Sequence, residues 1–149
     1  MNPEILPGTM SQLLPTHAEL IRRSYRAFRE DDLEALVSLY HPEAVWDMTH
    51  WKDFPEASVY TGLSGTNDLL RLLRDVFGEF DVQPVEIVEA GEERVLVIGR
   101  MTVRGKASGA EVQAPPFAQV IEFRDNLIAR VDAYSDAEAG RRAAGLTSG

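Results

Sequence analysis

The stretch Phe117–Tyr134, FAQVIEFRDNLIARVDAY, decides the fold of this chain. It contains two runs of residues that favour β structure, Phe117–Arg124 and Leu127–Tyr134, on either side of Asp125-Asn126. Aspartate and asparagine both tolerate the positive φ that a tight two-residue turn needs. The stretch therefore predicts a β-hairpin.

A two-residue turn also predicts which residues face each other across the hairpin. On one face it pairs Phe123 with Ile128, Ile121 with Arg130, Gln119 with Asp132 and Phe117 with Tyr134. The other face is small and aliphatic except near the turn: Ala118, Val120, Leu127, Ala129, Val131 and Ala133. A sheet that is apolar on both faces must be covered on both sides, and polar groups among aromatic ones indicate a cavity.

Composition limits the classes of function. The chain has 149 residues, of which 44% are hydrophobic and 26% charged, as is ordinary for one globular domain. Its net charge of −9 argues against nucleic acid and anionic membranes as partners, because phosphate binding needs a basic surface. The absence of cysteine excludes disulfides and thiolate chemistry. No apolar run reaches a membrane span and residues 1–15 lack a signal-peptide pattern, so we expect a cytoplasmic protein.

The chain is predicted to form one domain over residues 16–146, preceded by a flexible arm. The arm, residues 1–15, carries three prolines and a glycine. Helix-capping residues predict three helices before the long strands and a short helix at the end. These residues are Thr16 with Glu19 for the first helix, Asp31 or Asp32 for the second, Ser64 or Thr66 for the third and Ser135–Glu138 for the last.

Alternating apolar residues predict the strands. They are Ala44–Met48, Phe80–Glu89, Arg94–Arg104, Glu111–Arg124 interrupted by Pro115-Pro116, and Leu127–Tyr134. His41-Pro42 is expected to end the second helix, and Thr49–Thr61 is expected to be a long connection of the kind that often carries function. Helices followed by a meander of strands are typical of the α+β class, with the helices on one side of a curved, mostly antiparallel sheet.

This order of elements resembles the NTF2-like superfamily of cone-shaped α+β proteins, and within it the SnoaL-like group. The segments that carry the resemblance are Leu33–Leu39, His41–Trp46, Tyr60-Thr61-Gly62, Ala107-Ser108-Gly109, Val120–Ile128 and Asp132–Leu146. The superfamily includes ketosteroid isomerases, polyketide cyclases, epoxide hydrolases and dehydratases, and also binding proteins without catalytic activity.

The resemblance implies positions for catalytic groups, which this chain does not match. The base of the ketosteroid isomerase-like members falls at Met48, one residue after Asp47, and their tyrosine falls at Ser24, one residue before Tyr25. Their protonated aspartate falls near Gln119. A shift of one residue in a strand turns a side chain to the opposite face, so the resemblance leaves the reaction open.

Asp47 and His50 are the candidate catalytic residues. Asp47 lies between Trp46 and Met48, and an apolar setting raises the pKa of a carboxyl group enough to make it an acid or base near neutral pH. His50 follows three residues later and could carry protons. The alternative is a solvated aspartate and an exposed loop histidine, and the pattern leaves open which face of Ala44–Met48 points inward.

The candidate ligand-binding residues combine aromatic walls with polar groups. They are Trp46, Trp51, Tyr60, Arg100, Gln119, Asp132 and Tyr134. Gln119 and Asp132 would hydrogen-bond a ligand or each other, and Arg100 would bind a ligand carboxylate or pair with Asp132. No two of the three histidines stand at ligand spacing, so we expect no metal, and nothing in the sequence indicates a cofactor.

Two functions follow from this set of residues. One is a cofactor-independent acid–base enzyme, such as an isomerase, cyclase, dehydratase or hydrolase, acting on a small apolar oxygenated molecule. The other is a module of the same fold that binds such a molecule without catalysis or serves as a dimeric accessory domain. The small aliphatic face of the hairpin, together with the resemblance, also predicts a homodimer through the sheet.

Overall fold

The computed structural model describes residues 15–52, 54, 58–77, 80–104 and 110–146. The predicted arm therefore lies outside the described residues except for Pro15. The described chain forms an α+β fold, as the sequence predicts. Its helices are α1 (His17–Arg29), α2 (Leu33–Val37), α3 (Gly62–Phe77) and α4 (Ala137–Ala143).

The starts of α1, α2 and α4 are set by side-chain caps, whereas α3 begins at Gly62, so the caps predicted for it, Ser64 or Thr66, are wrong and lie inside the helix. The Thr16 hydroxyl accepts a hydrogen bond from the Glu19 backbone N–H at 3.1 Å, as the predicted capping box requires. Asp32, rather than Asp31, caps α2 through the Ala35 N–H at 3.1 Å. Asp136 caps α4. α2 ends at Val37 and not at His41-Pro42, which belong to the first strand.

Seven strands form one curved sheet, in the order β2-β1-β7-β6-β4-β3 with β5 pairing only with β4. β1 runs parallel to β7, and the other neighbours are antiparallel. The strands are β1 (Tyr40–His50), β2 (Val59–Thr61), β3 (Phe80–Gly91), β4 (Arg94–Arg104), β5 (Glu111–Gln113), β6 (Phe117–Arg124) and β7 (Leu127–Tyr134). β1 is longer than predicted because its two ends also pair with β7, Tyr40 with Ile128 and His50 with Tyr134. β2, drawn from the expected loop, pairs with the middle of β1.

The hairpin turn forms as predicted, but the register beyond it is different. Asp125 and Asn126 have φ values of 54° and 63°, and Phe123 pairs with Ile128. A β-bulge follows between Glu122 and Phe123 on β6, opposite an extra residue on β7.

The bulge shifts every later pair by one residue, so the predicted pair of Phe123 with Ile128 is confirmed and the three pairs beyond it are wrong. The observed pairs are Glu122 with Arg130, Ile121 with Val131, Val120 with Asp132, Gln119 with Ala133 and Ala118 with Tyr134. Because side chains alternate along a strand, this turns Val131 and Ala133 to the inner face and Arg130, Asp132 and Tyr134 to the outer face.

The two faces of the sheet are covered by different helices. α1, α2 and α3 pack over the inner face and enclose the main hydrophobic core. α4 packs on the outer face of β6 and covers a smaller core formed by Leu96, Ile98, Ala118, Val120 and Ala144.

Close contact between α4 and β6 depends on a glycine. A Cβ on Gly140 would lie 2.2 Å from the Cβ of Ala118, closer than real side-chain contacts allow. Ala118 is fully buried and Val120 is nearly so. Of the small aliphatic residues that suggested a subunit interface, Ala118 and Val120 are thus covered by the chain's own last helix, while Val131 and Ala133 face the cavity; the homodimer stays a prediction.

In the part of the chain that the structure describes, no helix is both long enough and apolar enough to span a bilayer.

Candidate functional site

A cavity of about 90 Å³ lies between α1–α3 and the inner face of the sheet. Alternation along β1 places Trp46 and Met48 on its wall, while β6 contributes Phe117, Gln119 and Ile121. The remaining lining residues are Ser24, Tyr25, Phe28, Leu36, Tyr40, Trp51, Leu70, Leu73, Val82, Met101, Ile128, Val131 and Ala133.

A buried hydrogen bond joins the helices to the sheet across this cavity. The Tyr25 hydroxyl on α1 donates to Gln119 Oε1 on β6 at 2.6 Å. Burial, and to a smaller extent the neighbouring Tyr40, raise the pKa of the Tyr25 phenol far above its ordinary value. Tyr25 therefore remains a protonated donor over the whole physiological range.

Tyr40 and Trp46 form a second polar position on the wall. Their rings lie 6.3 Å apart between centroids, at 27°. Burial strongly raises the pKa of Tyr40, and the Trp46 indole N–H, which faces its oxygen, partly offsets the rise. That N–H nevertheless stops short of hydrogen-bond geometry, so Trp46 Nε1 is buried with no partner among the residues described.

The described residues that line the cavity include no carboxylate, imidazole, ammonium or guanidinium group. Its polar side chains are hydroxyls, one amide and indoles. The Ser24 hydroxyl donates to the Ile21 carbonyl at 2.7 Å within α1. The cavity can therefore hold a neutral molecule by packing and hydrogen bonds, but its own wall supplies no group that exchanges a proton near neutral pH.

Asp47, His50, Asp132 and Tyr134 lie together on the opposite face of the same strands, around Arg130. The Arg130 guanidinium donates to both oxygens of Asp132 at 2.9 and 3.0 Å and lies 3.6 Å from Asp47 Oδ2. The His50 ring stacks on Tyr134, with centroids 4.6 Å apart, and its Nε2 lies 3.9 Å from Asp47 Oδ2. We call these five residues the outer cluster.

The outer cluster makes Asp47 a weaker base than the sequence suggested. Burial alone would raise its pKa, but the Thr49 hydroxyl and N–H donate to Oδ1 at 2.6 and 2.9 Å, and His50 and Arg130 add positive potential. The net effect is a pKa below the ordinary value, whereas an apolar setting was expected to raise it. Asp47 is a hydrogen-bonded, ionised carboxylate.

Three members of the outer cluster could each offer one ligand atom to a metal ion. The atoms of Asp47, His50 and Asp132 lie within 4.8 Å of one another. The Arg130 guanidinium already contacts both carboxylates, and the same cluster raises the pKa of Arg130, chiefly through the hydrogen bond with Asp132. A metal ion would have to compete with this fixed cation.

The residues proposed from the sequence thus divide between two faces. Trp46, Trp51 and Gln119 lie on the cavity wall. Asp47, His50, Asp132 and Tyr134 lie in the outer cluster. Tyr60 packs against the main core from β2 without lining the cavity, and Arg100 is exposed on β4.

Two predicted contacts are replaced by others. Gln119 meets Tyr25 instead of Asp132, because the bulge turns Asp132 outward. Arg100 donates to Gln113 Oε1 at 3.4 Å, and Asp132 forms its ion pair with Arg130.

The main residue that the sequence reasoning missed is Tyr25. From the sequence it was named only as the residue after Ser24 and was not proposed as part of the site. A tyrosine on a buried helical face needs a partner for its hydroxyl, and Gln119 was the polar residue expected inside the sheet. Tyr40 was missed because it was assigned to the end of a helix and not to β1.

A second, wider groove of about 360 Å³ adjoins the cavity between α1, α2 and α3. Phe28, Leu36 and Leu70 line both spaces and separate them. The outer wall of the groove is polar and carries Asp31, Asp32, Arg71 and Asp75. These three apolar side chains therefore stand between the cavity and the surface.

Residues 21–131 match the model of the SnoaL-like domain, which is most of the described chain. The chain belongs to the SnoaL-like domain family. The resemblance noted in the sequence is thereby confirmed. No curated protein matches the sequence.

Solved structures with this fold match nearly the whole chain. TerC, co-crystallised with polyporic acid, is 24% identical with a TM-score of 0.67, over 86% of this chain and 97% of TerC. A putative polyketide cyclase from Sinorhizobium meliloti is 19% identical with a TM-score of 0.60, over 83% and 97% of the two chains. RV0760c from Mycobacterium tuberculosis, in complex with estradiol-17beta-hemisuccinate, is 14% identical with a TM-score of 0.63, over 77% and 89%. At these identities the likeness establishes the fold.

Proposed function

We propose that this protein binds a small, neutral, largely apolar molecule in the cavity between its helices and its sheet. The observation that supports this most is the chemistry of the wall: among the described residues it offers hydrogen-bonding groups without an ionisable carboxylate or imidazole. Apolar walls with a few placed polar groups are typical of small-molecule sites.

Charge on the ligand would be costly in this cavity. A carboxylate taken from water into an apolar site loses several kcal/mol unless a cation or several donors replace its hydration. Both arginines proposed or found near the site, Arg100 and Arg130, lie outside the cavity wall. The site therefore favours a neutral ligand over an acid of the same shape.

The size of the cavity limits what it holds without movement. About 90 Å³ is less than the roughly 150 Å³ of an engineered cavity that binds benzene. Binding of a ring thus requires lining side chains to shift, and Met48 and Met101 are the flexible ones. A larger molecule would displace Phe28, Leu36 or Leu70 and extend into the adjoining groove.

The comparisons support a small organic ligand and do not bear on its charge, since both of the compounds named below are acids. TerC was co-crystallised with polyporic acid, and RV0760c was crystallised with estradiol-17beta-hemisuccinate. Both solved structures share the fold and hold small organic molecules. This supports small-molecule binding as the property to test in the present chain.

The acid–base enzyme hypothesis has less support from the geometry. Its proposed catalytic residues, Asp47 and His50, lie in the outer cluster, and the sheet stands between them and the cavity. Asp47 also has a lowered pKa, which reduces its strength as a base. Binding without proton transfer by Asp47 is therefore the function we favour.

A matched pair of ligands tests the proposal. Acetophenone and benzoate have nearly the same shape, but benzoate is charged at neutral pH. Titrations followed by NMR should give saturable shifts at cavity residues with acetophenone and at least about tenfold weaker binding of benzoate, since burying an unpaired carboxylate costs more than 1.4 kcal/mol. Equal binding of the two compounds, or binding of neither, would overturn the proposal.

A further inference from the structure

The unpartnered Trp46 indole N–H is the feature of the cavity that the general proposal does not use. Trp46 is 5% exposed, and its Nε1 is buried without a partner among the described residues. A buried donor left without an acceptor costs about 1–3 kcal/mol, so such groups are rare unless water or a ligand completes them.

The backbone holds this donor in a fixed place. Trp46 lies within β1 where the strand is paired on both sides, with Tyr60 on β2 and Val131 on β7. A strand with two neighbours has little freedom to shift, and the Tyr40 oxygen, which this N–H faces, lies outside hydrogen-bond geometry. The donor is therefore positioned in advance, as binding groups on rigid elements generally are.

The hydrogen bond between Tyr25 and Gln119 leaves a second donor in the cavity, the Gln119 amide. At 2.6 Å, the contact between Tyr25 and Gln119 has the length of an O–H···O bond and is short for N–H···O, which assigns the tyrosine as donor and the amide oxygen as acceptor. This bond uses the Tyr25 proton and leaves the Gln119 amide protons for another acceptor.

We infer that the ligand presents a neutral acceptor oxygen, such as a ketone, quinone or ester carbonyl, to the Trp46 indole N–H. The inference rests on the proposed function and adds the class of ligand and the residue that recognises it. The cavity has room for several water molecules, at roughly 10–15 Å³ each, so water is the competing acceptor in the empty protein. A ligand carbonyl that displaces such a water keeps the hydrogen bond, while a hydrocarbon does not.

Acetophenone and cumene test this directly, because they have similar shapes and only acetophenone has a carbonyl. Trp46→Phe removes the N–H and keeps an aromatic ring. It should weaken acetophenone binding by about 2- to 10-fold, the range of one net hydrogen bond, and change cumene binding much less. Trp51→Phe is the control, since Trp51 also lines the cavity and should not distinguish the two compounds.

Equal losses for the two compounds in Trp46→Phe would show that the ring packs but its N–H is not used, and would overturn the inference alone. Binding of neither compound to the wild-type protein would mean instead that the proposed function fails, and the inference with it.

A measurement on the wild-type protein keeps the test independent of folding in the variant. The chain has two tryptophans, so two indole N–H signals are expected in a ¹⁵N–¹H spectrum. With saturating acetophenone the Trp46 proton signal should lie downfield of its position with saturating cumene, because only the carbonyl keeps a hydrogen bond to this N–H. The same Trp46 position with both bound compounds would leave that N–H without the ligand or assign it to the Tyr40 oxygen, and would contradict the inference.

Discussion

The inner and outer faces of β1 and β7 are built from alternate residues of the same strands, yet their chemistry is opposite. On β1, Trp46 and Met48 point to the inner face and Asp47 between them points to the outer face. On β7, Val131 points inward and Asp132 points outward. The inner residues line a cavity without charged groups, while the outer ones form a network of ions around Arg130. The titratable groups that the sequence offers for catalysis lie one residue away from the cavity and on the wrong side of the sheet.

This difference shows how the alternation of side chains along a strand separates the binding cavity from the cluster of charged residues. Neighbouring residues on a strand point to opposite faces, so a shift of one residue decides which chemistry enters the cavity. On β7, the bulge in the β6–β7 hairpin determines which residues face the cavity.

The largest effect is expected from moving a charge across the sheet. Val131→Asp places a carboxylate on the cavity wall, where Val131 is 1% exposed, and should reduce the free energy of unfolding by about 3–5 kcal/mol because the charge has no partner there. Asp132→Val, one residue along on the outer face, should cost only about 1 kcal/mol, since Arg130 is 40% exposed and keeps Asp47 as a partner at 3.6 Å. Urea unfolding measures both, and equal losses would mean that the two faces do not differ as described.

A smaller effect is expected where α4 covers the outer face. Gly140→Ala brings a Cβ to 2.2 Å from that of Ala118 and should cost about 1–2 kcal/mol, after a gain of roughly 1 kcal/mol in helix propensity is set against the clash. In an Ala118→Gly background the same change should become neutral or stabilising. A Gly140→Ala cost that is the same in both backgrounds would show that the helix does not rest on Ala118.

Removing the hydrogen bond across the cavity should cost about as much as an ordinary buried one. Tyr25→Phe leaves the Gln119 oxygen without its donor, and we expect a loss of about 1 kcal/mol in the free energy of unfolding. Tyr134→Phe on the outer face is the matched control, with an expected change below about 0.5 kcal/mol. If Tyr134→Phe proves the more damaging change, the polar contact inside the cavity does not stabilise the fold.

Asp47 on the outer face and the two buried tyrosines on the inner face should also contribute at opposite ends of the pH–stability curve. The pKa of Asp47 is lower in the folded protein than its ordinary value of 3.8, so its contribution is present above that pH and is lost as the pH falls. The pKa values of Tyr25 and Tyr40 are raised above 10.0, so their contribution is present below that pH and is lost as the pH rises.

Unfolding measured across acidic and alkaline pH separates these contributions. Asp47→Asn should flatten the acid limb and change the alkaline limb only slightly, through Tyr134, whose pKa is raised chiefly by burial and then by Asp132 and Asp47. Tyr25→Phe should flatten the alkaline limb and leave the acid limb unchanged. An effect of Asp47→Asn confined to alkaline pH, or of Tyr25→Phe confined to acid pH, would contradict these assignments.

Much of the fold could be predicted because local signals agree with it. The caps of α1 and α2, the bounds of Arg94–Arg104 and the turn at Asp125-Asn126 each follow from a few adjacent residues. Such signals need no information from distant parts of the chain.

The register beyond the turn could not be predicted in the same way, because the extra residue of a bulge need not be of any particular residue type. One signal was present: Ile128 and Val131 are both apolar, yet they stand three residues apart and cannot share a face in a regular strand. For the same reason, the sequence did not show on which side of the sheet Asp47 and Asp132 lie. The pairing of Tyr25 with Gln119, 94 residues apart, depends on tertiary structure and had only the polarity of both residues to indicate it.

The most direct test of an uncharged cavity is the affinity for acetophenone measured from about pH 5 to about pH 9, a range in which free histidine titrates and tyrosine does not. Our account predicts a constant dissociation constant across the range, because no described group on the cavity wall changes its charge there. A change of tenfold or more with an inflection near neutral pH, abolished by His50→Gln or Asp47→Asn, would show that the outer cluster acts on the ligand and would contradict the account.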